Sequence, residues 1–292
     1  MKKYKAIFFD WDGTAVMSRK APADDAARAM KPLLKRGVKL VIVSGTTIEN
    51  IAGGDIASYF TPQELGSLYL GLGRGAFNYA FDEEGKPYVF SDRLPDTGLL
   101  LDIHRICFDI HMELLEKYRF QTDIVFSRPN YCKIDLMVDN QRGENLFMQE
   151  NELDTLKESL RAHGIEGGLG KLLDIARDTG KKYDVCTAPT CDAKYLEVGI
   201  SSKSDNVDTI LGRLEEEYGI RPEECAYWGD EYVGIEPGIY GSDSFMRTEK
   251  TCAGDFFDVS GVNGQRPEGV EHVGGGVDRF LRFLQEQEKP SI

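Results

Sequence analysis

The chain of 292 residues has 41% hydrophobic and 10% aromatic side chains, which fits packed cores and two domains and excludes a disordered polymer. A formal net charge of −14, with no basic patch to offset it, excludes a nucleic-acid backbone or an anionic membrane as the main partner. A small anionic substrate remains open, provided a metal or a few local cations line its pocket. The six cysteines, at 107, 132, 186, 191, 225 and 252, lack the close paired spacing of a zinc site, and Cys186 and Cys191 read as ordinary thiols near a strand end. With no secretory-type apolar segment at the start and no apolar run approaching eighteen residues, the sequence predicts a soluble cytoplasmic protein with reduced thiols.

In chain order, Ala6 to Phe9 is a short apolar run of the kind a strand buried on both faces shows. Pro22 suits a helix first turn. Ala26, Met30, Leu33 and Leu34 then recur at helical spacing up to Gly37, although Pro32 within that pattern predicts a kink or a break. Val38 to Val43 is a second β-branched run, so strand, helix and strand follow within about 40 residues and imply a right-handed crossover and a parallel sheet. Near the far end Tyr195 to Val198 reads as a strand. Val207, Ile210, Leu211 and Leu214 mark a helix that stops near Gly219, CAYWGD reads as a strand, and Ser244 to Met246 as another. Val277, Phe280, Leu281 and Leu284 stripe a closing helix.

The middle of the chain has a different character. Ile134, Leu136 and Val138 alternate with Lys133, Asp135 and Met137, the mark of a strand with one wet face. Ile103, Ile106, Ile110 and Leu114 give one amphipathic helix, and Leu153, Leu156 and Leu160 another, closed by Gly164. The expected fold class is therefore α/β: a doubly wound, Rossmann-like parallel sheet formed by residues 1–84 and 190–292, with an α+β domain, 85–189, inserted between the halves.

In a doubly wound sheet the ligand crevice lies outside the carboxyl ends of the strands. Four polar clusters fall at such ends: Asp10 with Asp12, Ser44, Lys203, and Asp230 with Glu231. Asp-Gly is an ordinary turn signal and accounts for Asp12, but not for a second carboxylate at position 10. The set suits phosphoryl transfer through an aspartyl-phosphate. Attack by a carboxylate on a phosphate dianion requires that their repulsion be offset by a divalent cation and fixed donors, and hard Mg²⁺ prefers carboxylate oxygens. Asp10 is then the nucleophile and a metal ligand, with Asp230 holding the metal from the opposite side. Ser44 and the backbone around Gly45 donate to phosphoryl oxygens, and Lys203 supplies a compact charge near a helix start. Asp12, two residues along the strand from Asp10, faces the same side and serves as the proton donor and acceptor for the leaving oxygen and the water.

DWDGT after FF, the IVSGT segment, the lysine of SSKSDN and YWGDE, in that order, resemble the four motifs of the haloacid dehalogenase superfamily of phosphohydrolases. The large insertion between the second and third motifs looks like the cap of its Cof-type, sugar-phosphatase branch, and GAFNYAFDEEGKPYVF is similar to the stretch by which that branch enters its cap. The resemblance implies Mg²⁺-dependent hydrolysis of a phosphomonoester, a small phosphorylated metabolite such as a sugar phosphate, and a further metal contact from the backbone carbonyl of Asp12. One departure stands out. The second acid that this branch carries four residues after the first Asp of its fourth motif is here Gly234, which leaves Glu231 or Glu236 as replacements and keeps a phosphomutase or a weakly active phosphate-binding relative as alternatives.

GLGRG, residues 71–75, looks like a dinucleotide loop, but FNYAFD after it alternates like a strand where such a loop needs a helix. Specificity is expected from the inserted domain, where Arg128, Lys133 and Arg142 are the candidate cations.

Overall fold

A computed structural model describes residues 2–138, 152–192 and 194–289. Arg142 lies outside these. The chain divides into two compact units, one formed by Met1–Arg93, Ser202–Gly234 and Tyr240–Ile292, the other by Leu94–Ser201 and Ile235–Ile239.

The first unit is built on an eight-stranded sheet. Its strands are β1 (Ala6–Phe9), β2 (Lys39–Val43), β3 (Leu68–Leu72), β4 (Phe77–Phe81), β5 (Pro87–Asp92), and then, beyond the second unit, β10 (Cys225–Gly229), β13 (Asp255–Asp258) and β14 (Val270–His272). The order across the sheet is β14-β13-β10-β1-β2-β3-β4-β5. Pairing is parallel from β14 to β3, and antiparallel for β4 and β5. β1, β2 and β10 are buried on both faces, as their unbroken apolar runs require. Helices α1 (Asp24–Lys35), the short α2 (Pro62–Leu65), α6 (Lys203–Tyr218) and α7 (Gly276–Glu288) complete the unit. α1 runs unbroken through Pro32, because Ala26, Ala27 and Met30 before the proline and Leu33 and Leu34 after it are all buried on one face; tertiary packing outweighs the lost hydrogen bond.

The segment Ser244–Met246, expected as a strand, lies instead in a 3₁₀ turn, Ser242–Met246. Its hydroxyls favour local bonds, and Ser244 Oγ donates to the Gly241 carbonyl at 2.6 Å. The strand that pairs with β10 on the side away from β1 is β13. It ends in Asp258, a fully buried carboxylate that accepts from Arg266 Nε at 2.5 Å and from the Ser260 amide at 2.7 Å.

The second unit holds a four-stranded antiparallel sheet, β6 (Asp123–Val125), β7 (Tyr131–Asp135), β9 (Tyr195–Gly199) and β8 (Thr190–Cys191) in that order, with helices α3 (Thr97–Tyr118), α4 (Glu152–Ala162) and α5 (Gly168–Lys181). Tyr195 to Val198 therefore belongs to this sheet and not to the parallel one. The alternation already showed it: Leu196 and Val198 are buried while Tyr195 and Glu197 are not, the pattern of an antiparallel strand with one wet face. The expected limits, 85 and 189, shift for the same reason, since β5 is the edge of the large sheet and β9 pairs with β7.

A short hairpin, β11 (Gly234–Glu236) and β12 (Ile239–Tyr240), interrupts the first unit, and its tip groups with the second. There Ile235 and Ile239 pack on that unit's apolar core, and Lys157 Nζ donates to the Ile235 carbonyl at 2.9 Å. All six cysteines are free, and no helix among the described residues is long and apolar enough to cross a membrane.

Candidate active site

Register sets the site. Phe9 is paired with Ile42 on one side and Trp228 on the other, so the residues that follow β1, β2 and β10 emerge level at the carboxyl edge. Adjacent strands lie about 4.8 Å apart there. The order reverses between β1 and β10, which makes this edge the topological switch point of the sheet.

Asp10 leaves β1 with its amide donating to the Trp228 carbonyl at 2.9 Å, and only 7% of the residue is exposed. Its Oδ1 accepts from Lys203 Nζ at 2.7 Å, and the same ammonium donates to Asp243 Oδ1 at 2.7 Å. Lys203 is the first residue of α6, and its position is fixed by a capping box in which the Ser202 amide donates to Asp205 Oδ2 at 2.8 Å. Asp230 follows β10 and accepts from Thr14 Oγ1 at 3.0 Å. Asp243 is fully buried, and its Oδ2 accepts the amides of Asp230 at 3.0 Å and Glu231 at 2.8 Å. One oxygen from each of Asp10, Asp230 and Asp243 lies within 4.8 Å of the others. Glycine is required on both sides of this cluster, because a Cβ at Gly13 would overlap the Asp230 carboxylate and one at Gly229 that of Asp243.

Three carboxylates with one ammonium, paired to two of them, would carry two excess negative charges in a dry place if all were ionised. Burial pushes Asp10 well above the ordinary carboxylate range, with Lys203 pulling the other way and Asp243 adding to the rise. Asp230 is raised well above that range by burial and then by Asp243 and Asp10. For Lys203 burial works against the charge, yet Asp10 and Asp243 outweigh it and hold the ammonium protonated far into alkali. The donor set is all oxygen and its charge deficit is that of one divalent cation, so these residues fit Mg²⁺.

Asp12 sits on a compact turn in which the amides of Ala15 and Val16 both donate to the Trp11 carbonyl at 3.0 Å, while Trp11 itself is buried in the apolar core. Arg19 Nη2 lies 3.3 Å from Asp12 Oδ2. Burial raises the Asp12 carboxyl, and Arg19 opposes the rise. Ser44 ends β2, buried, with its amide donating to the Gly71 carbonyl at 2.9 Å and its Oγ accepting from the Thr46 amide at 3.3 Å; Gly45 beside it is exposed.

The structure brings Asp10, Lys203 and Asp230 together, and the further acid beside them is Asp243 rather than Glu231 or Glu236. Glu236 is elsewhere, its Oε2 accepting from the Leu169 amide at 3.0 Å and the Gly170 amide at 3.3 Å at the start of α5. Glu231 Oε2 accepts from Ser242 Oγ at 2.7 Å and stays outside the three-acid cluster. Thr14 and Arg19 were also unforeseen. Of the cations expected to meet substrate, Lys133 is paired with Glu197 at 2.8 Å, Arg128 is partly exposed in the loop between β6 and β7, and Arg142 lies outside the described residues. The GLGRG loop runs directly into β4, a strand, as its alternation predicts.

No protein-family model and no curated protein matches the sequence. Solved structures do. The IMP-nucleotidase of Plasmodium falciparum, N-terminally truncated and bound to IMP, matches with a TM-score of 0.61 at 12% identity, over 98% of this chain and 68% of that one. Trehalose-6-phosphate phosphatase from Aspergillus fumigatus matches with a TM-score of 0.57 at 16% identity, over 98% of this chain and 93% of the other. This chain has the fold of known phosphatases.

Proposed function

We propose that the protein is a Mg²⁺-dependent phosphomonoester hydrolase that works through a phosphorylated Asp10 and acts on a small phosphorylated metabolite, a sugar phosphate being the leading class. The observation that carries this reading is the cluster of Asp10, Asp230 and Asp243, with Lys203 paired to Asp10 and Asp243, at the switch point of a parallel sheet. Asp10, Asp230 and Asp243, with the Asp12 carbonyl, would hold a dication, which would supply the positive charge that lets a carboxylate approach a phosphate dianion. With Oδ1 of Asp10 fixed by Lys203, Oδ2 attacks phosphorus and the ester P–O bond breaks. Asp12 gives the departing oxygen its proton, then takes one from the water that attacks the phospho-aspartate; phosphate leaves and Asp10 is restored. Ser44 and the Gly45 amide orient phosphoryl oxygens.

A weakly active phosphate-binding relative is an alternative because of Gly234, and the presence of Asp243 beside Asp230 weighs against it. The two phosphatase neighbours, one named for a nucleotide and one for a sugar phosphate, support a phosphomonoester without choosing between the classes. We assign substrate selection to the second unit, with Arg128 as its leading cation.

The test is phosphate release from a panel of phosphomonoesters with Mg²⁺ and with chelator, for the parent and for Asp10→Asn. Metal-dependent release that vanishes in the variant is the expected result. Release that survives in Asp10→Asn removes the nucleophile, and isomerised product with little free phosphate identifies a mutase.

A further inference from the structure

Asp12 is held by one oxygen only. Its Oδ2 faces Arg19 Nη2 at 3.3 Å, whereas its Oδ1 is buried without a hydrogen-bond partner among the described residues. The guanidinium is used just as sparingly, since Arg19 Nε is also buried without a partner among them. Arginine and carboxylate ordinarily meet as a two-pronged fork, which satisfies both oxygens and gains most from the pair. Here the turn from Trp11 to Val16 fixes the backbone of Asp12, so the side chain has few orientations left, and the single contact selects among them. A pair built only for stability would leave neither oxygen unsatisfied, as at Asp258, whose Oδ2 accepts from Arg266 Nε and whose Oδ1 accepts from the Ser260 amide. This one leaves a buried carboxylate oxygen unsatisfied beside the nucleophile's strand.

We propose that Arg19 is a positioning residue: it holds Asp12 by Oδ2 so that Oδ1 is left unpaired for the leaving-group oxygen of the substrate. The inference rests on the reading of Asp12 as proton donor. It predicts an effect graded by leaving group, because an alkoxide must receive a proton as the P–O bond breaks, while a nitrophenolate leaves without one.

The experiment compares kcat/KM on an alkyl phosphate and on p-nitrophenyl phosphate for the parent, Arg19→Gln, Arg19→Lys, Asp12→Asn and the Asp12→Asn/Arg19→Gln double variant, with melting temperatures recorded alongside. In Arg19→Gln the alkyl phosphate should lose about 10- to 100-fold and p-nitrophenyl phosphate less than about threefold. Arg19→Lys should recover part of the loss, and Arg19→Gln should add nothing in the Asp12→Asn background. Equal losses on both substrates, or full additivity in the double variant, would overturn the inference while leaving the hydrolase reading intact. A parent that releases phosphate from neither substrate overturns both. Should Arg19→Gln melt far below the parent, Arg19→Lys, which keeps the charge, carries the leaving-group comparison alone.

Discussion

Two neighbouring strand ends in the first unit bury acids in opposite ways. At the end of β13, Asp258 meets Arg266 one to one, and the arginine's other donors reach the Gly264 carbonyl at 3.1 Å and the Val262 carbonyl at 2.7 Å. Charge is balanced and both carboxylate oxygens are satisfied, Oδ2 by Arg266 and Oδ1 by the Ser260 amide. At the ends of β1 and β10, three acids cluster with one lysine, which pairs with Asp10 and Asp243 and leaves Asp230 to a neutral donor, Thr14. A chain selected only for stability has no reason to keep that imbalance, because each uncompensated buried charge costs several kcal/mol. The contrast separates a balanced pair from a cluster whose excess charge would suit a bound cation.

The largest effect should come from the nucleophile. Asp10→Asn is expected to lower metal-dependent phosphate release by at least about a thousandfold, while raising the melting temperature of the metal-free protein by relieving the charge excess. Arg266→Met should do the reverse at β13: a loss of about 3 to 5 kcal/mol in denaturant unfolding, because Asp258 is left buried and unpaired, with the Mg²⁺ affinity of the folded protein unchanged. If both variants shift stability in the same direction, the contrast between the two strand ends fails.

Mg²⁺ itself should stabilise the parent by about 2.7 kcal/mol at a hundredfold excess over Kd, and Asp230→Asn or Asp243→Asn should abolish this stabilisation in thermal melts. The same cluster predicts a pH slope. Asp10 and Asp230 titrate higher in the folded chain than in the unfolded one, so between the ordinary carboxylate range and their raised values the folded state binds more protons. Stability of the metal-free protein should therefore fall as pH rises through that window, and return on acidification towards the ordinary range. Saturating Mg²⁺ should flatten this slope, which chemical denaturation across pH would read directly. The smallest change is expected from Glu236→Gln: a loss of about 1 kcal/mol from the weakened acceptor at the start of α5, and no change in metal binding. A lowered Mg²⁺ affinity in that variant would restore Glu236 to the metal site.

Strand ends were legible because unbroken apolar runs are hard to place anywhere but in a doubly covered parallel sheet, and Asp10, Ser44 and Asp230 sit directly beside such runs, whereas Lys203 was marked only by the helix start it opens. Asp243 was hidden for a different reason. It stands thirteen residues beyond Asp230, past a hairpin, in a stretch of alternating serine and acid that looks like surface. Only the closing of that hairpin carries it back to the Asp230 amide. Arg19 was equally silent, as one basic residue in a polar loop whose partner is set by tertiary packing. Tyr195–Gly199 was misplaced although its alternation was in view, because its nearness to Lys203 in sequence outweighed the pattern.

The hairpin tip, Ile235–Ile239, has a consequence for modular engineering. A graft that replaced residues 94–201 with another inserted domain would cut the chain at two points, yet the second unit is assembled from two stretches and the shorter would be left behind. Its two isoleucines would lose their apolar bed, and Glu236 the amides it receives. The transplanted unit would lack those same groups. Exchange of this domain with that of a relative therefore requires a second, five-residue transplant, taken from the span of chain between the two acids.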